Sequence, residues 1–427
     1  MRSLPALLIA LRRWRGPTPP LREAADGVLE PLSSLKRTPT QTHTAPAPSL
    51  SIPCPDPTGE EVRRDRYQSQ GQRYARQEDW TALSAAMRQA DQSRDKTPGG
   101  MPVAELLSFG ARADVVGAAE HALLGGRPGP GADLLAGISQ LEEVLCCAHG
   151  DAMIAATVAQ AHVDLGWAWR GTGYEAEVPS RNRAAFAAHF DRASEILADL
   201  PRANSPLVEG VRCAACARAT PDVDRIAAAF EALITLDPTT PQSFRAMGLR
   251  LLPRWSGASG ALELHARRMA ARTQTTWGAG GYTWTMLDAI AADDAACAAL
   301  DVEFFIDGLR DILARCPDQH VVNLLAAYCA NTMGMQMDGS DEAALVRAQI
   351  ADCAGWIVRE WLTELHPMIW AHAARGFDQA LRVRCAERFA AAGLADAHRF
   401  IAQLFRREID AGKRIIFTED GPEAVPA

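Results

Sequence analysis

The sequence predicts an all-α protein: an irregular α-solenoid of antiparallel helix pairs behind a disordered N-terminal leader. Three observations carry this. Apolar residues make up 48% of the chain but aromatics only 6%, because alanine supplies much of the count, and alanine has the highest helix propensity. Apolar residues recur at helical spacing, as in Phe186, Phe190, Ala193 and Leu197, in Ile226, Phe230, Leu233 and Leu236, and in Phe305, Leu309, Ile312 and Leu313. Runs that alternate with period two are nearly absent.

The leader comes first. Residues 1–57 hold 11 of the 26 prolines, so residues 17–57 cannot sustain a helix ladder and have no face to bury. Residues 1–50 carry seven Lys/Arg against three Asp/Glu, a local charge of +4 in a chain of −8, which leaves −12 on the rest. A short apolar run over residues 4–11 is followed at once by Arg12, Arg13, Trp14 and Arg15 without a small-residue cleavage site, unlike a secretory signal. The alternative for residues 1–15 is a basic amphipathic segment touching anionic lipid. No segment approaches 18 uninterrupted apolar residues, the length a membrane-spanning helix needs. Of ten cysteines, eight fall inside predicted helices (Cys146, Cys147, Cys213, Cys216, Cys297, Cys329, Cys353, Cys385), where they pack as small hydrophobes. Cys54 is in the leader and Cys316 closes a helix before Pro317. The expectation is a reducing, cytoplasmic protein.

From residue 58 the pattern is helix, break, helix. Ser205-Pro206, Thr220-Pro221 and Thr240-Pro241 each place a hydroxyl at an N-cap and a proline at the first helical position. Asp79, Ser180 and Ser340 mark further starts. Gly99-Gly100, Gly125-Gly126, Gly171, Pro201, Pro238, Pro253, Pro317 and Pro367 mark stops. About fourteen to sixteen helices of 12–22 residues result. They form one array over 58–412, with C-terminal helices over 281–412. Residues 413–427 are a tail whose Arg414-Ile-Ile-Phe-Thr418 stretch reads as an ordered tail or a single extended strip.

The spacing in the middle of the array follows the tetratricopeptide pattern. Ile226, Phe230, Leu233 and Pro238 fit a second helix; Phe244, Met247, Gly248 and Leu251 fit the next first helix. Leu165, Gly166 and Trp169 fit another first helix, and Phe190 with Ala193 its partner. Glycine on the first helix lets the partner approach. Two further segments, Ala168-Trp169-Arg170-Gly171-Thr172-Gly173-Tyr174 and Leu251-Leu252-Pro253-Arg254-Trp255-Ser256-Gly257, resemble motifs of a bacterial family of helical proteins of unknown function. Its members carry an Ala-Trp-x-x-Arg-Gly helix end and a Leu-x-Pro-Arg/Lys-Trp-Gly-Gly-Ser turn. Here Arg170 directly follows Trp169, and Ser256-Gly257-Ala258-Ser259 replaces Gly-Gly-Ser. The resemblance covers residues 60–275 and implies a tetratricopeptide-like fold. It implies no activity.

At these motifs each Trp caps the core at a helix end with Arg over it or on the last carbonyls, while Gly171, Gly173 and Gly257 form the exits. The functional alternative is a partner-binding groove formed by Trp169, Arg170, Tyr174, Arg254 and Trp255, with arginine binding a carboxylate. Other constellations are weaker. Cys213-Ala-Ala-Cys216 has no second ligand pair, Cys146-Cys147 diverge on a helix with only His149 near, and Glu263 and His265 fall on different faces. Glu360, Glu364, His366 and His372 lack metal-ligand spacing and read as a solvated charged face beside Trp356, Trp361, Met368 and Trp370. Gly278-Ala-Gly280-Gly281 reads as a flexible connection, not a phosphate cradle. The sequence therefore predicts no catalytic, cofactor-binding or metal residues, and the acidic balance disfavours nucleic acid. The leading expectation is a module that holds a peptide or partner protein in a helical-repeat groove. The alternative is an enzyme with Arg170, Arg254, His162, His189 and Asp164 around one polar pocket.

Overall fold

The computed structural model describes residues 49–426 except 124–135, 172–177, 202–203, 217–221, 254–259, 336–338, 378–382 and 384. The chain is mostly helical, with nineteen α-helices among the described residues and one small sheet.

Strand β1 (Leu50–Ser51) precedes α1 (Gly59–Arg76), α2 (Trp80–Ser93) and α3 (Val103–Ala122). Thr58 and Glu61 form a capping box on α1: each side chain accepts from the other residue's backbone N–H. Asp79 caps α2, accepting from Ala82 N at 3.0 Å. Then come α4 (Ala136–Cys147), α5 (Ala152–Arg170), α6 (Ser180–Ala198), α7 (Pro206–Ala215), α8 (Val223–Leu236) and α9 (Pro241–Arg250). Ser205 and Pro206 start α7 as expected. Thr240 and Pro241 start α9, but the Thr240 hydroxyl donates to Asp237 instead of capping. α8 is capped by Asp222, which accepts from Arg225 N; Thr220 and Pro221 lie outside the described residues. α6 begins at Ser180 itself, with Pro179 at its cap.

The remaining helices are α10 (Ala261–Arg272), α11 (Gln274–Trp277), α12 (Gly280–Ala292), α13 (Asp294–Ala298), α14 (Val302–Arg315), α15 (Gln319–Ala327), α16 (Asp341–Trp361), α17 (Pro367–Ala373), α18 (Ala386–Leu404) and α19 (Arg406–Asp410). A π-helical turn, Tyr328–Met333, extends α15. Several helices are shorter than the expected 12 residues, because proline and glycine cut the pattern more finely than periodicity alone suggests. Pro367 begins a helix instead of ending one.

Two expectations about the ends need correction. The 414–418 stretch is the middle strand of a three-stranded sheet: β2 (Lys413–Thr418) pairs antiparallel with β3 (Gly421–Pro426) and parallel with β1. Alternation explains it, since Ile415 and Phe417 both point into the core. The leader is not unpaired through residue 57. Leu50 and Ser51 register with Ile415 and Ile416, and Leu365 N donates to Pro53 O at 2.8 Å. Residues 1–48 lie outside the described residues.

Two main hydrophobic cores result. One runs from Leu83 to Ala215, the other from Cys213 to Phe417. Within the first, α1 and α3 interlock through glycine. A Cβ on Gly71 would lie 2.0 Å from Leu107 O, and one on Gly110 would lie 1.9 Å from Gln68 O. Gly166 on α5 accommodates the Phe190 ring of α6, as the first-helix glycine reading expects. Gly248 on α9 does not serve α10. It meets the Thr285 carbonyl of α12, where a Cβ would sit 1.8 Å away.

The cores are tied by the turn between α2 and α3. Arg94 donates to Leu236 O, Lys96 pairs with Asp237 at 2.8 Å, and Gln242 Nε2 contacts Met101 Sδ at 3.2 Å. Because a methyl on Gly110 would strike backbone, Gly110→Ala should force α1 and α3 apart and cost about 1–3 kcal/mol. Chemical denaturation would check this, and an unchanged midpoint would contradict the interlock.

Candidate functional site

A cavity of about 170 Å³ opens where the two cores meet. α2 contributes Ala90 and Asp91, α3 Ser108, Phe109 and Arg112, and α5 Gln160, Val163 and Trp167. α7 contributes Leu207, Gly210, Val211 and Ala214, α8 Phe230 and Leu233, and α9 Gln242 and Ala246.

The polar groups on its wall are mostly spoken for. Asp91 accepts from Leu207 N at 2.9 Å, and Arg94 donates to Asn204 Oδ1 at 2.9 Å. Arg112 is buried, pairs with Asp164 at 2.9 Å and donates to Ser108 Oγ at 3.0 Å. Burial lowers the Arg112 guanidinium to about 10, still charged at neutral pH. Among buried side-chain atoms of the described lining residues, Gln242 Oε1 has no hydrogen-bond partner. The cavity surface is mainly apolar, with Asp95, Glu105 and Ser243 also among its lining residues. An apolar cavity of about 150 Å³ holds a benzene-sized group, so this one accommodates a single large apolar side chain.

The residues singled out from the sequence separate in space. Trp169 is buried at the end of α5; Arg181 lies over its ring at 5.3 Å and Asn182 donates to its carbonyl at 2.7 Å. Arg170 lies over Trp167 instead, 5.9 Å from the ring centre, and donates to Gly171 O at 3.3 Å. Trp167 also lines the cavity, so Arg170 stands behind one wall of it. Gly171 takes φ +68° at the helix exit. Tyr174, Arg254 and Trp255, with Gly173 and Gly257, lie outside the described residues.

The polar set for an enzyme splits across α5. His162 and Asp164 are two positions apart, about 200° around the helix. Asp164 faces Arg112 near the cavity. His162 faces outward to α4 and α6: its Nε2 bonds Glu142 Oε1 at 2.8 Å and its Nδ1 lies 2.9 Å from His189 Nδ1. Arg192 holds Glu142 through both oxygens at 2.8 and 2.7 Å, which keeps that carboxyl below its usual range. With Glu142 accepting from His162 Nε2–H, the His162 Nδ1 accepts from His189. Burial, and then the repulsion that His162 would exert if both rings were protonated, lower His189 to about 4. Glu142, Arg192 and Arg112 carry no motif. Only Arg112 leaves a trace in the sequence, as a charge one turn after Ser108 on a stripe that includes Leu107 and Ala111.

Other expectations shift as well. His366 and His372 are buried, not on a solvated face, while Glu360 is exposed. Cys146, Cys147 and Cys385 are exposed; Cys213 is buried and Cys216 half-buried, with no disulfide among the described cysteines. Burial pushes the Cys213 thiol up, away from thiolate chemistry. Gly280 and Gly281 open α12 as tightly packed residues against Ile312 and Thr273, not as a flexible link. Among the described residues, no three His, Cys, Asp or Glu side chains stand where they could hold a metal ion. No described helix is long and apolar enough to cross a membrane. Comparison with protein-family models, with curated proteins and with solved structures finds no match.

Asp164→Asn should strand the buried Arg112 charge and cost about 3–5 kcal/mol, while pairing Arg112→Met with Asp164→Leu should recover most of it. Denaturation of the single and double variants would show this, and equal losses in both would contradict it. His189 ordinarily titrates near 6.5 but is held at about 4, so between these values the unfolded chain takes up a proton that the folded chain refuses. Stability should fall as pH drops from 6.5 toward 4, and His189→Gln should flatten that slope. Parallel slopes in wild type and variant would rule the assignment out.

Proposed function

We propose that the protein is an interaction module that binds a partner segment at the cavity between its two cores, using one large apolar side chain as the anchor. The reading places it with tetratricopeptide-like helical arrays, in which helix pairs present a groove to an extended peptide. Two features support it. The cavity has the volume of one aromatic or leucine side chain. Its walls are mainly apolar, and the Asp91 and Arg112 on them are already paired. Trp167, braced by Arg170, forms one wall. The cavity carries the proposal. The distribution of polar residues on opposite faces of α5 favours binding over catalysis.

Gly210 supplies the test. It lines the cavity, and a Cβ there would meet nothing within 4 Å. Gly210→Phe should therefore fill the cavity without disturbing α7. Peptides selected from a random display library against the wild type should share one Phe, Leu or Trp anchor. Calorimetry should show at least a tenfold loss of their affinity for Gly210→Phe. Selected peptides that bind both proteins equally would refute the proposal.

A further inference from the structure

A second polar cluster lies along the same seam, outside the cavity. α1 turns Arg64 and Gln68, one helical turn apart, inward, where they are 5% and 6% exposed. The other core brings up His320 from the first turn of α15, and His366 and His372 from the cap and end of α17. All three histidines are buried, and the His320 and His366 rings lie 6.1 Å apart. Gly99 sits between the two sides. A Cβ there would lie 2.6 Å from the His320 ring and 2.9 Å from the Glu60 carboxyl carbon.

Donors in this cluster outnumber acceptors. Glu60 is saturated, taking the Thr97 hydroxyl on one oxygen at 2.9 Å and Gly99 N–H on the other at 2.7 Å. Arg245 is neutralised by Asp288 through two bonds of 2.9 and 2.8 Å. Asn323 Oδ1 is taken by His366 N and by the Trp370 indole. Left without a hydrogen-bond partner are the donors Arg64 Nε and Gln68 Nε2, both ring nitrogens of His372, one of which is a donor, and His366 Nδ1, an acceptor because Nε2 donates to Glu364 at 3.0 Å.

Burial and the Arg64 charge lower His372 to about 4. Burial, with His366, Arg64 and Arg245, lowers His320 to about 3. Both rings are therefore neutral at pH 7, and each offers one N–H. Arg64 stays charged, though burial lowers its affinity for the proton. The Glu60, Asp65 and Glu61 carboxylates act on its charge, but its buried Nε–H has no acceptor, which is costly, and an acceptor-only group is what the unpartnered donors complement.

We propose that Arg64, with Gln68 and His372, binds a small oxyanion, a carboxylate or phosphate group, between α1 and α17. Such a ligand would bridge the two cores and stabilise their closed arrangement. The cluster is independent of the cavity, so this inference and the peptide proposal stand or fall separately.

The test uses the full chain and three salts at matched ionic strength: sodium phosphate, sodium succinate and sodium chloride. Phosphate or succinate should raise the melting temperature progressively with concentration, and calorimetry should give saturable binding at one site. Chloride should do neither. The arm that saturates identifies phosphate or carboxylate as the natural class. Arg64→Gln should weaken binding at least tenfold. If that variant fails to fold, Arg64→Lys replaces it, since it keeps the charge but loses the planar fork. A tenfold loss with Lys supports the site. No saturation with either anion in the wild type, or unchanged affinity in the folded variant, overturns it.

Discussion

The turn between α2 and α3 holds the two halves of the molecule in register, and the cavity and the Arg64 cluster depend on it. Lys96 reaches across to Asp237, with both side chains largely buried, and also donates to the Thr239 hydroxyl. Burial alone would raise the Asp237 carboxyl, but Lys96 and the hydroxyls of Thr240 and Thr239 outweigh it and hold the group below its usual range. The turn is itself rigid: Thr97 N donates to Met101 O, Gly100 N donates to Thr97 O, and Gly100 takes φ +81°. From this base Thr97 and Gly99 hold Glu60 on one side, and Gly99 meets His320 on the other. A desolvated ion pair contributes position more dependably than net stability. Here its position fixes how close two hydrophobic cores come.

That closeness explains where the unusual residues lie. An alanine-rich array packs helices tightly, and glycines at Gly71, Gly110 and Gly248 bring backbones into direct contact. Between the cores lies a seam, where side chains from separate cores must meet. Both the cavity and the Arg64 cluster occur there. The third polar group, Glu142 with His162, His189 and Arg192, is built within one core by three consecutive helices. Its members satisfy one another, which suits a structural clasp on α4, α5 and α6.

The capping residues were legible because capping is local. Ser205, Asp79 and Ser340 act on backbone N–H groups two or three residues away, so sequence and geometry coincide. The candidate site was legible only in fragments. The Ala-Trp-Arg-Gly motif led to α5, yet the cavity wall is Trp167, two residues before the Trp169 of the motif. Buried positions such as Arg64, Arg112 and His372 look like ordinary polar residues until their neighbours are known. Each owes its environment to a residue more than fifty positions away.

The sequence by itself determined a mostly helical chain, helix starts such as those at Asp79, Ser205 and Ser340, and the buried faces of α6, α8 and α14. These follow from propensity, capping and 3.6-residue periodicity, all of which act within a few residues. The tertiary structure decided the rest. It paired residues 50–51 with 415–416, directed Gly248 toward α12 instead of α10, and placed His162 and Asp164 in different clusters. It also brought Arg64 of α1 near enough to His320 and His372 for its charge to act on both rings. Those outcomes depend on which surfaces of distant segments complement one another, and no local pattern encodes that complementarity.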